Sequence, residues 1–527
     1  MNNSISRSEF LKTLSAAGTG MGLLANPLYR HTVDRSRAGQ TGDAFQIRGM
    51  HIDLRVEIMT IEALKNLAKQ LSSLGINALV LEYTASFPYQ KHATLSNRYA
   101  YSRNEIRELV SYCDGLGIQV IPLLENLGHV QYILRHERYA NLRIRRSILS
   151  QVDPLNKKAI PLFADLIDDL VSLHPSKYIH LGGDETRHLR DKKYSGYIQK
   201  HGVSKLYTQY MKQICRIAID KGKTPLLWAD MILKHPQAIE DLPVDKIIFI
   251  NWIYDGADAN KFGNVKALEE KGCTFWGAPA LRSGPDNYFL TRWNYHFNNI
   301  QKFVPYTRRA GHKGMIMTSW STSGIYDYQW QGSSNTLLQM FPRRNVYPLA
   351  GFNILITAYA KALKMKNPIH PKNFVIDYAR QRFGLSQAEG QSLWKYLAHK
   401  QVRIGGGEAF EKENIRKIRK KFRKVSTPVQ QMNPDQHQKE FEHFKVMANI
   451  RDFYLSVRQV ESIVESADFN RARMDEVGKQ LKPLLKRSEK LDERFTTLNK
   501  GYLYDSELER LNKLRNERLH HLCEIYC

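Results

Sequence analysis

The sequence predicts a (β/α)8 barrel, a TIM-type fold, followed by an α-helical C-terminal domain. Short, largely apolar runs alternate with helix-spaced stretches between about residues 45 and 365. There are eight such runs, and they are continuously apolar, as strands buried on both faces must be. Eight β/α units close naturally into a barrel, although the same alternation also permits a doubly wound open sheet. Beyond about Leu363 the strand signals stop and helical spacing takes over. The expected organisation is therefore a leader over residues 1–41, a barrel over 42–365 and a helical domain over 366–527.

The first strand is expected from Gly49 to Leu54. Its helix runs from Ile61 to Leu74, with Leu64, Leu67 and Leu71 on one face. A second strand (Ile76 to Tyr83) is followed by a Phe87-Pro88-Tyr89 loop and a helix from Arg103 to Leu116. The third strand, Ile118 to Leu124, ends in Glu125-Asn126-Leu127-Gly128-His129. A helix from Ile160 to Leu173 precedes the fourth strand, Tyr178 to Leu181. Helix Leu206 to Asp220, strand Pro225 to Trp228, strand Lys246 to Trp252, helix Val265 to Lys271 and strand Cys273 to Trp276 follow. A longer connection containing Asn287 to Phe303 leads to the last strand, Gly314 to Trp320. In the C-terminal third, Glu440 to Glu465 and Met474 to Leu498 are helical by spacing. A break is expected from Ser426-Thr427-Pro428 to Pro434-Asp435, and Gly405-Gly406-Gly407 reads as a turn.

Composition narrows the function classes. The 527 residues are 42% hydrophobic with a formal net charge of +26, which favours anionic partners or a solvated basic face, much of the excess lying in the C-terminal third. Five cysteines include no Cys-x-x-Cys and no Cys/His spacing suited to zinc, so neither a disulfide framework nor a structural metal is expected. Cys523 and Cys527 either pair or are simply helix residues. No phosphate-cradling glycine loop, internal repeat or membrane-spanning run is present. Ser6-Arg7-Ser8-Glu9-Phe10-Leu11-Lys12 resembles a twin-arginine export signal lacking one arginine, and Thr13 to Ala25 is a short, weakly apolar run. Export to a periplasm or the cell exterior is the expectation.

The chemistry concentrates at His180-Leu181-Gly182-Gly183-Asp184-Glu185. Two adjacent carboxylates at the end of a buried strand cannot both ionise cheaply, so one is available as an acid while the other remains charged. Successive strand residues point to opposite faces, but a loop opening at Gly-Gly relaxes this and aims both at one ligand. An Asp capping the next helix is the plainer alternative. Barrel chemistry sits at the C-terminal ends of strands. The residues there are Asp53 and Arg55, Glu82 and Tyr83, Glu125 and His129, Asp184 and Glu185, Trp228 and Asp230, Trp252 and Tyr254, Trp276, and Trp320. Four tryptophans among carboxylates suit a sugar ring and its N-acetyl group; core filling is the plainer alternative.

Taken together, these strand ends resemble glycoside hydrolase family 20, the β-N-acetylhexosaminidases, whose His-x-Gly-Gly-Asp-Glu signature is matched without a gap at residues 180–185. Within the family, the hexosaminidase D type is resembled by His51-Ile52-Asp53-Leu54-Arg55, Leu81-Glu82-Tyr83, Leu127-Gly128-His129-Val130 with His136-Glu137, and Trp228-Ala229-Asp230-Met231. The resemblance implies a retaining, substrate-assisted reaction in which the 2-acetamido oxygen attacks the anomeric carbon and an oxazolinium forms. Glu185 is then the acid and base, and Asp184 orients the acetamido N–H and stabilises the positive charge. The strand ending at Trp276-Gly277-Ala278 offers no carboxylate where many barrel glycosidases keep a nucleophile, which agrees with a substrate that supplies its own. The resemblance further implies that Trp228, Trp252 and Trp320 wall the acetamido pocket and that Arg55 grips ring hydroxyls, while Trp276 is a pocket candidate from its place near a strand end. His129, with Glu125 behind it, supports the acid, and either Tyr254 or Tyr288 donates to the acetamido oxygen. Ser321-Thr322-Ser323 and Thr84-Ala85 replace acidic residues often found after the last-strand Trp and the second-strand Glu-Tyr. The preference between GlcNAc and GalNAc is thereby left open. The expected partner is a glycan, with the basic balance favouring an anionic one, rather than nucleic acid; no cofactor or metal is implied. A catalytically silent carbohydrate-binding barrel and a metal-dependent hydrolase using His51, Asp53, His129, His180 and Asp184 are the alternatives.

Overall fold

The computed structural model describes residues 44–255, 263–284, 286–321, 346–402, 404–405, 408–409 and 414–527. The expected leader lies outside these residues, as do Thr322, Ser323, Gly406 and Gly407.

Strands β1 (Ile47–Asp53), β2 (Ala78–Glu82), β3 (Gln119–Leu123), β4 (Tyr178–His180), β5 (Thr224–Trp228), β6 (Ile248–Trp252) and β7 (Thr274–Ala278) lie side by side in chain order, all parallel. A short β8 (Ala280–Arg282) extends beside β9 (Gly314–Ser319). Strand β9 pairs with β7 through Gly277 and Met315, and with β1 from Ile47↔Gly314 to Met50↔Met317. That last pairing closes the sheet and excludes the open arrangement.

The barrel interior is filled by Val80, Ile121, Leu123, Leu226, Ile250, Ile316 and large aromatic side chains. Outside lie helices α1 (Ile61–Ser73), α2 (Arg103–Gly115), α3 (Ala159–Val171), α4 (Ser195–Asp220), α5 (Asp230–Lys234), α6 (Val265–Glu269), α7 (Trp293–Arg309) and α8 (Asn353–Lys364). Local chemistry starts them where it should. Thr60 caps α1 by accepting from the Ala63 N–H, and Ser102 with Glu105 forms a reciprocal capping box at α2. The expected leucines of α1 are all buried.

Three expectations need correction. The stretch from Asn287 to Phe303 is not simply a connection, because α7 starts at Trp293. Trp293, Phe297, Ile300 and Val304 recur at helical spacing and are all buried, a periodicity masked by Pro305, which the helix accommodates. Helix α4 begins eleven residues before Leu206, at Ser195, and is interrupted at Gly202, whose φ of 80° only glycine adopts freely. The break expected to start at Ser426 falls later. One helix runs through Pro428 to Gln431 because Ile415, Ile418, Phe422, Ser426 and Val429 keep one continuous buried face.

The C-terminal helices are α9 (Pro371–Phe383), α10 (Gln387–Leu397), α11 (Ile415–Gln431), α12 (Gln438–Val464), α13 (Met474–Asn499) and α14 (Asp505–Tyr526). Cys523 and Cys527 are both free thiols of the last helix and its cap. One apolar cluster runs from α1 and α2 through α8 into α12, α13 and α14, so the barrel's outer shell and these helices share a core, and Ala44–Cys527 is one compact unit.

The seam is specific. The Thr60 hydroxyl donates to the Gly501 carbonyl at 2.7 Å, the Thr60 N–H to Tyr502, and Arg510 to the Val56 carbonyl at 2.6 Å. The last helices thereby hold the loop that follows β1. Beneath it, the fully buried Arg282 ion-pairs with Glu57 and donates to Ser319 Oγ and the Tyr347 carbonyl. A buried guanidinium needs this many partners, since each unmet donor would carry its desolvation cost. Among the described residues no helix is long and apolar enough to cross a membrane.

Candidate active site

The end of β4 decides the geometry of the site. Gly182 and Gly183 adopt φ of 55° and 88°, and Glu185 itself sits at φ 44°. The strand's alternation is thus undone within four residues, and Asp184 and Glu185 turn toward the same group. His129 Nε2 lies 3.4 Å from Asp184 Oδ2 and 3.5 Å from Glu185 Oε2. His129 is also left-handed, at φ 53°; two non-glycine residues in this region at one site mark backbone that the surrounding packing imposes.

Close packing fixes that turn. A Cβ on Gly182 would stand 2.0 Å from Glu125 Oε2, and one on Gly128 would stand 2.5 Å from the Asp184 carbonyl oxygen. The Tyr207 hydroxyl donates to the Gly183 carbonyl at 3.2 Å, and the His180 Nδ1 accepts from the Gly182 N–H at 3.0 Å. The signature histidine therefore shapes the loop, with its ring against Trp228 at a centroid distance of 4.3 Å.

The electrostatics follow from burial and proximity. Burial alone would lower the His129 pKa, but the Asp184 charge and the hydrogen bonds of both carboxylates outweigh it and hold the imidazole well above its usual value. Glu185 is correspondingly held down at about 2, chiefly by the His129 contact, with Arg187 at 2.9 Å adding to it against a partial burial penalty. Glu125, buried and facing Asp184, is pushed well up by desolvation and by that like charge. Asp230 is raised to about 6 by burial and by Asp184, while its Oδ2 accepts the Glu185 N–H at 3.2 Å. The surroundings of this imidazole thus push its neighbouring carboxyls in opposite directions, Glu185 down and Asp230 and Glu125 up.

The aromatic side is equally defined. Trp228 ends β5, Trp252 ends β6 and Trp320 follows β9. Trp228 and Trp320 are 5.9 Å apart by ring centroid, Trp252 packs on Tyr254 at 5.3 Å, and the Trp320 indole N–H donates to the Tyr254 hydroxyl at 2.9 Å. Arg55 lies buried below this wall, 5.4 Å from the Trp320 ring centroid. It pairs bidentately with Asp53 at 2.9 Å and with Glu82 at 3.1 Å. Asp53, whose burial would raise its pKa, is instead lowered to about 2 by Arg55. Its Oδ2 also accepts from the Ser321 N–H, tying β1 to the residue behind Trp320.

Two expected pocket residues are not brought to this group. Trp276 lies two residues inside β7, not at its end, and packs edge-on to Tyr178 at the start of β4 and over Gly314 at the start of β9. It plugs the opposite end of the barrel. Tyr288 is buried in the seam, stacked near Tyr347 and Phe495, with its hydroxyl accepting from Arg515 at 2.6 Å. Of the two tyrosines, Tyr254 is the one beside the tryptophans. Asp230, placed at a strand end by the sequence but given no role there, and Arg187, which the sequence did not single out, both touch Glu185.

Residues 45–267, spanning β1 to the start of α6 and so including Asp184, Glu185, His129 and Asp230, match the family model for "Glycosyl hydrolase family 20, catalytic domain". This stretch is similar to the catalytic domain of glycosyl hydrolase family 20. The chain is similar to hexosaminidase D of Homo sapiens, 28% identical over 306 residues that cover 54% of this chain and 61% of that protein. It is also similar to hexosaminidase D of Bos taurus, 28% identical over 291 residues, 52% of this chain and 84% of the relative. The chain thus spans about three-fifths of the length of the human relative. Among solved structures it is similar to a β-N-acetylhexosaminidase from Bacteroides fragilis NCTC 9343, with 18% identity and a TM-score of 0.47 over 68% of this chain and 71% of that one. The family 20 match covers the first six strands and ends inside α6; β7 onward, including the strand that closes the barrel, lies beyond it.

Proposed function

We propose that this chain is a retaining exo-β-N-acetylhexosaminidase that removes terminal β-linked GlcNAc or GalNAc by substrate-assisted catalysis. The observation that carries the reading is the turn at residues 182–185, which aims two sequence-adjacent carboxylates at one histidine. Asp184 Oδ1 and the Trp228 indole N–H are buried without a partner among the described residues, an acceptor and a donor next to an aromatic wall. Buried polar atoms of this kind are normally satisfied, and an acetamido group offers an N–H for the carboxylate and an oxygen for donors.

In the proposed reaction Asp184 accepts the acetamido N–H and turns the acetamido oxygen toward the anomeric carbon. That oxygen displaces the leaving oxygen, which takes the Glu185 proton, and the positive charge of the oxazolinium develops beside Asp184. Glu185 then withdraws a proton from water as the ring opens. Tyr254, raised in pKa by burial and so a neutral donor, is suited to the acetamido oxygen. For the acid step Glu185 must carry a proton, which requires a cation beside it to give way. Arg187, with its side chain 72% exposed, is the one able to turn out.

Hydrolysis of aryl β-GlcNAc and β-GalNAc beside the matching β-glucoside, with a thiazoline mimic of the oxazolinium, tests the reading. Cleavage confined to the N-acetylated sugars together with thiazoline inhibition supports it; cleavage of the glucoside at equal rate removes it. Export is proposed on the leader-like residues Ser6 to Ala25, and N-terminal sequencing of protein recovered outside the cytoplasm checks it.

A further inference from the structure

A second concavity shares Glu185 as a wall. It has a volume of about 390 Å3 and lies between the loop after β4 and the loop after β5, bounded by Glu185, Arg187, Arg190, Met231, Lys234 and His235. None of Asp184, Trp228, Trp252 and Trp320 borders it, so it stands on the outer side of the carboxyl from the aromatic wall. In the reaction proposed above, the leaving oxygen meets Glu185 and the leaving group continues beyond it. The concavity occupies that side.

Its charge is one-sided. Arg187, Arg190 and Lys234 are exposed, and His235 lies beside two of them. The acidic groups that face them are Glu185, paired with Arg187 at 2.9 Å, and Asp230, paired with Lys234 at 3.2 Å. Arg190 makes no ion pair among the described residues. The positive field is strong enough to act on its neighbours: burial first, then Arg190 and Lys234, lower the His235 pKa. Three permanent cations facing two carboxylates, in a recess beside a low-dielectric wall, attract an anion and focus it there.

We propose that this recess is the leaving-group subsite and that it takes a sugar residue bearing an anionic substituent, a carboxylate or a sulfate ester. The inference rests on the hexosaminidase reading and narrows its substrate class. Arg187 links the two halves of the site. An anionic substituent competes with Glu185 for Arg187, and as that guanidinium moves to the ligand Glu185 loses one of the two cations that keep it ionised. Binding of the correct leaving group thereby favours the protonated acid.

The test compares β-linked GlcNAc or GalNAc disaccharides that differ only in the reducing-side sugar: glucose, glucuronate, or glucose carrying a sulfate ester. The expected result is a kcat/KM at least 10-fold higher for the anionic sugars, falling toward unity between 50 and 500 mM salt as about one Debye length shrinks to the contact distance. In Arg190→Gln the ratio of anionic to neutral kcat/KM falls at least 5-fold. The glucuronate and sulfate arms distinguish the two anion types. An anionic-to-neutral ratio at or below one in the parent protein, with the neutral disaccharide or an aryl β-GlcNAc cleaved, overturns the subsite alone. Failure to cleave any N-acetylated substrate overturns the hexosaminidase reading and the subsite with it. The parent ratio and its salt dependence decide the matter even if Arg190→Gln does not fold.

Discussion

Replacing Asp184 by Asn changes one charge and almost no volume at the centre of the site. The carboxylate stands 3.4 Å from His129 Nε2. At an effective dielectric of about 20 this pair is worth roughly 332/(20 × 3.4), or about 5 kcal/mol, before solvent screening. Burial lowers the His129 pKa and Asp184, with Glu185, outweighs it, so Asp184→Asn removes the largest raising cause and the His129 pKa falls. In the reaction proposed above, the same missing charge withdraws stabilisation from the developing oxazolinium. A transition-state loss of about 3–4 kcal/mol corresponds to a fall of roughly 10²- to 10³-fold in kcat/KM. Two assays read these effects: histidine side-chain NMR against pH, and kcat/KM on an aryl β-GlcNAc with thiazoline affinity measured in parallel. A His129 that titrates near 6.5 in the parent, or a loss below 10-fold in the variant, refutes the reasoning.

Glu185→Gln removes the proton donor, and kcat falls by about 10²- to 10⁴-fold with a poor leaving group but far less with a leaving group that needs no protonation; a series of aryl glycosides reads the difference. Tyr254→Phe is expected to lower kcat/KM by at least about 10-fold through the lost donor. Tyr288→Phe instead lowers the melting temperature, because the buried Arg515 loses the acceptor of its Nη1 while keeping Asp492 and Asn512, and leaves kcat/KM within about 3-fold, an electrostatic effect too remote for more. Gly182→Ala combines a left-handed φ with a Cβ 2.0 Å from Glu125 Oε2, and thermal unfolding is expected to show a loss of at least about 2 kcal/mol. Asp53 is depressed from 3.8 to about 2. A carboxyl lowered on folding stabilises above its unfolded pKa and ceases to as pH falls through the folded one. About 2 kcal/mol of stability is therefore lost between about pH 4 and pH 2, measurable by urea unfolding at stepped pH and absent in Asp53→Asn.

The barrel was legible because buried parallel strands leave continuous apolar runs, and because helix α1 announces itself through the spacing of Leu64, Leu67 and Leu71. The Asp184–Glu185 convergence was legible for a different reason: Gly-Gly before the pair names the place where strand alternation fails. Trp276 was misplaced because the end of a strand and a point two residues inside it look alike in an apolar run. Trp228 and Trp252 are the last residues of their strands, whereas β7 continues to Ala278 and leaves Trp276 a layer deeper. Tyr288 was misplaced because its partner, Arg515, is 227 residues away, and spacing carries no information over that separation. Asp230 stood among the strand ends but without a role, and Arg187 became visible only once the loop after β4 was folded against Glu185.

The clasp between the loop after β1 and the last two helices has a consequence for how the protein is made. Thr60 waits for Gly501, 441 residues later in the chain. At about 5–20 residues per second a ribosome needs on the order of 20–90 s to deliver that partner. Throughout that interval Met59, Leu64 and the neighbouring apolar surface, all buried in the finished molecule, have no final covering. The first strand to emerge is thus among the last to be secured, so nascent chains depend on being shielded until the C-terminus has left the ribosome.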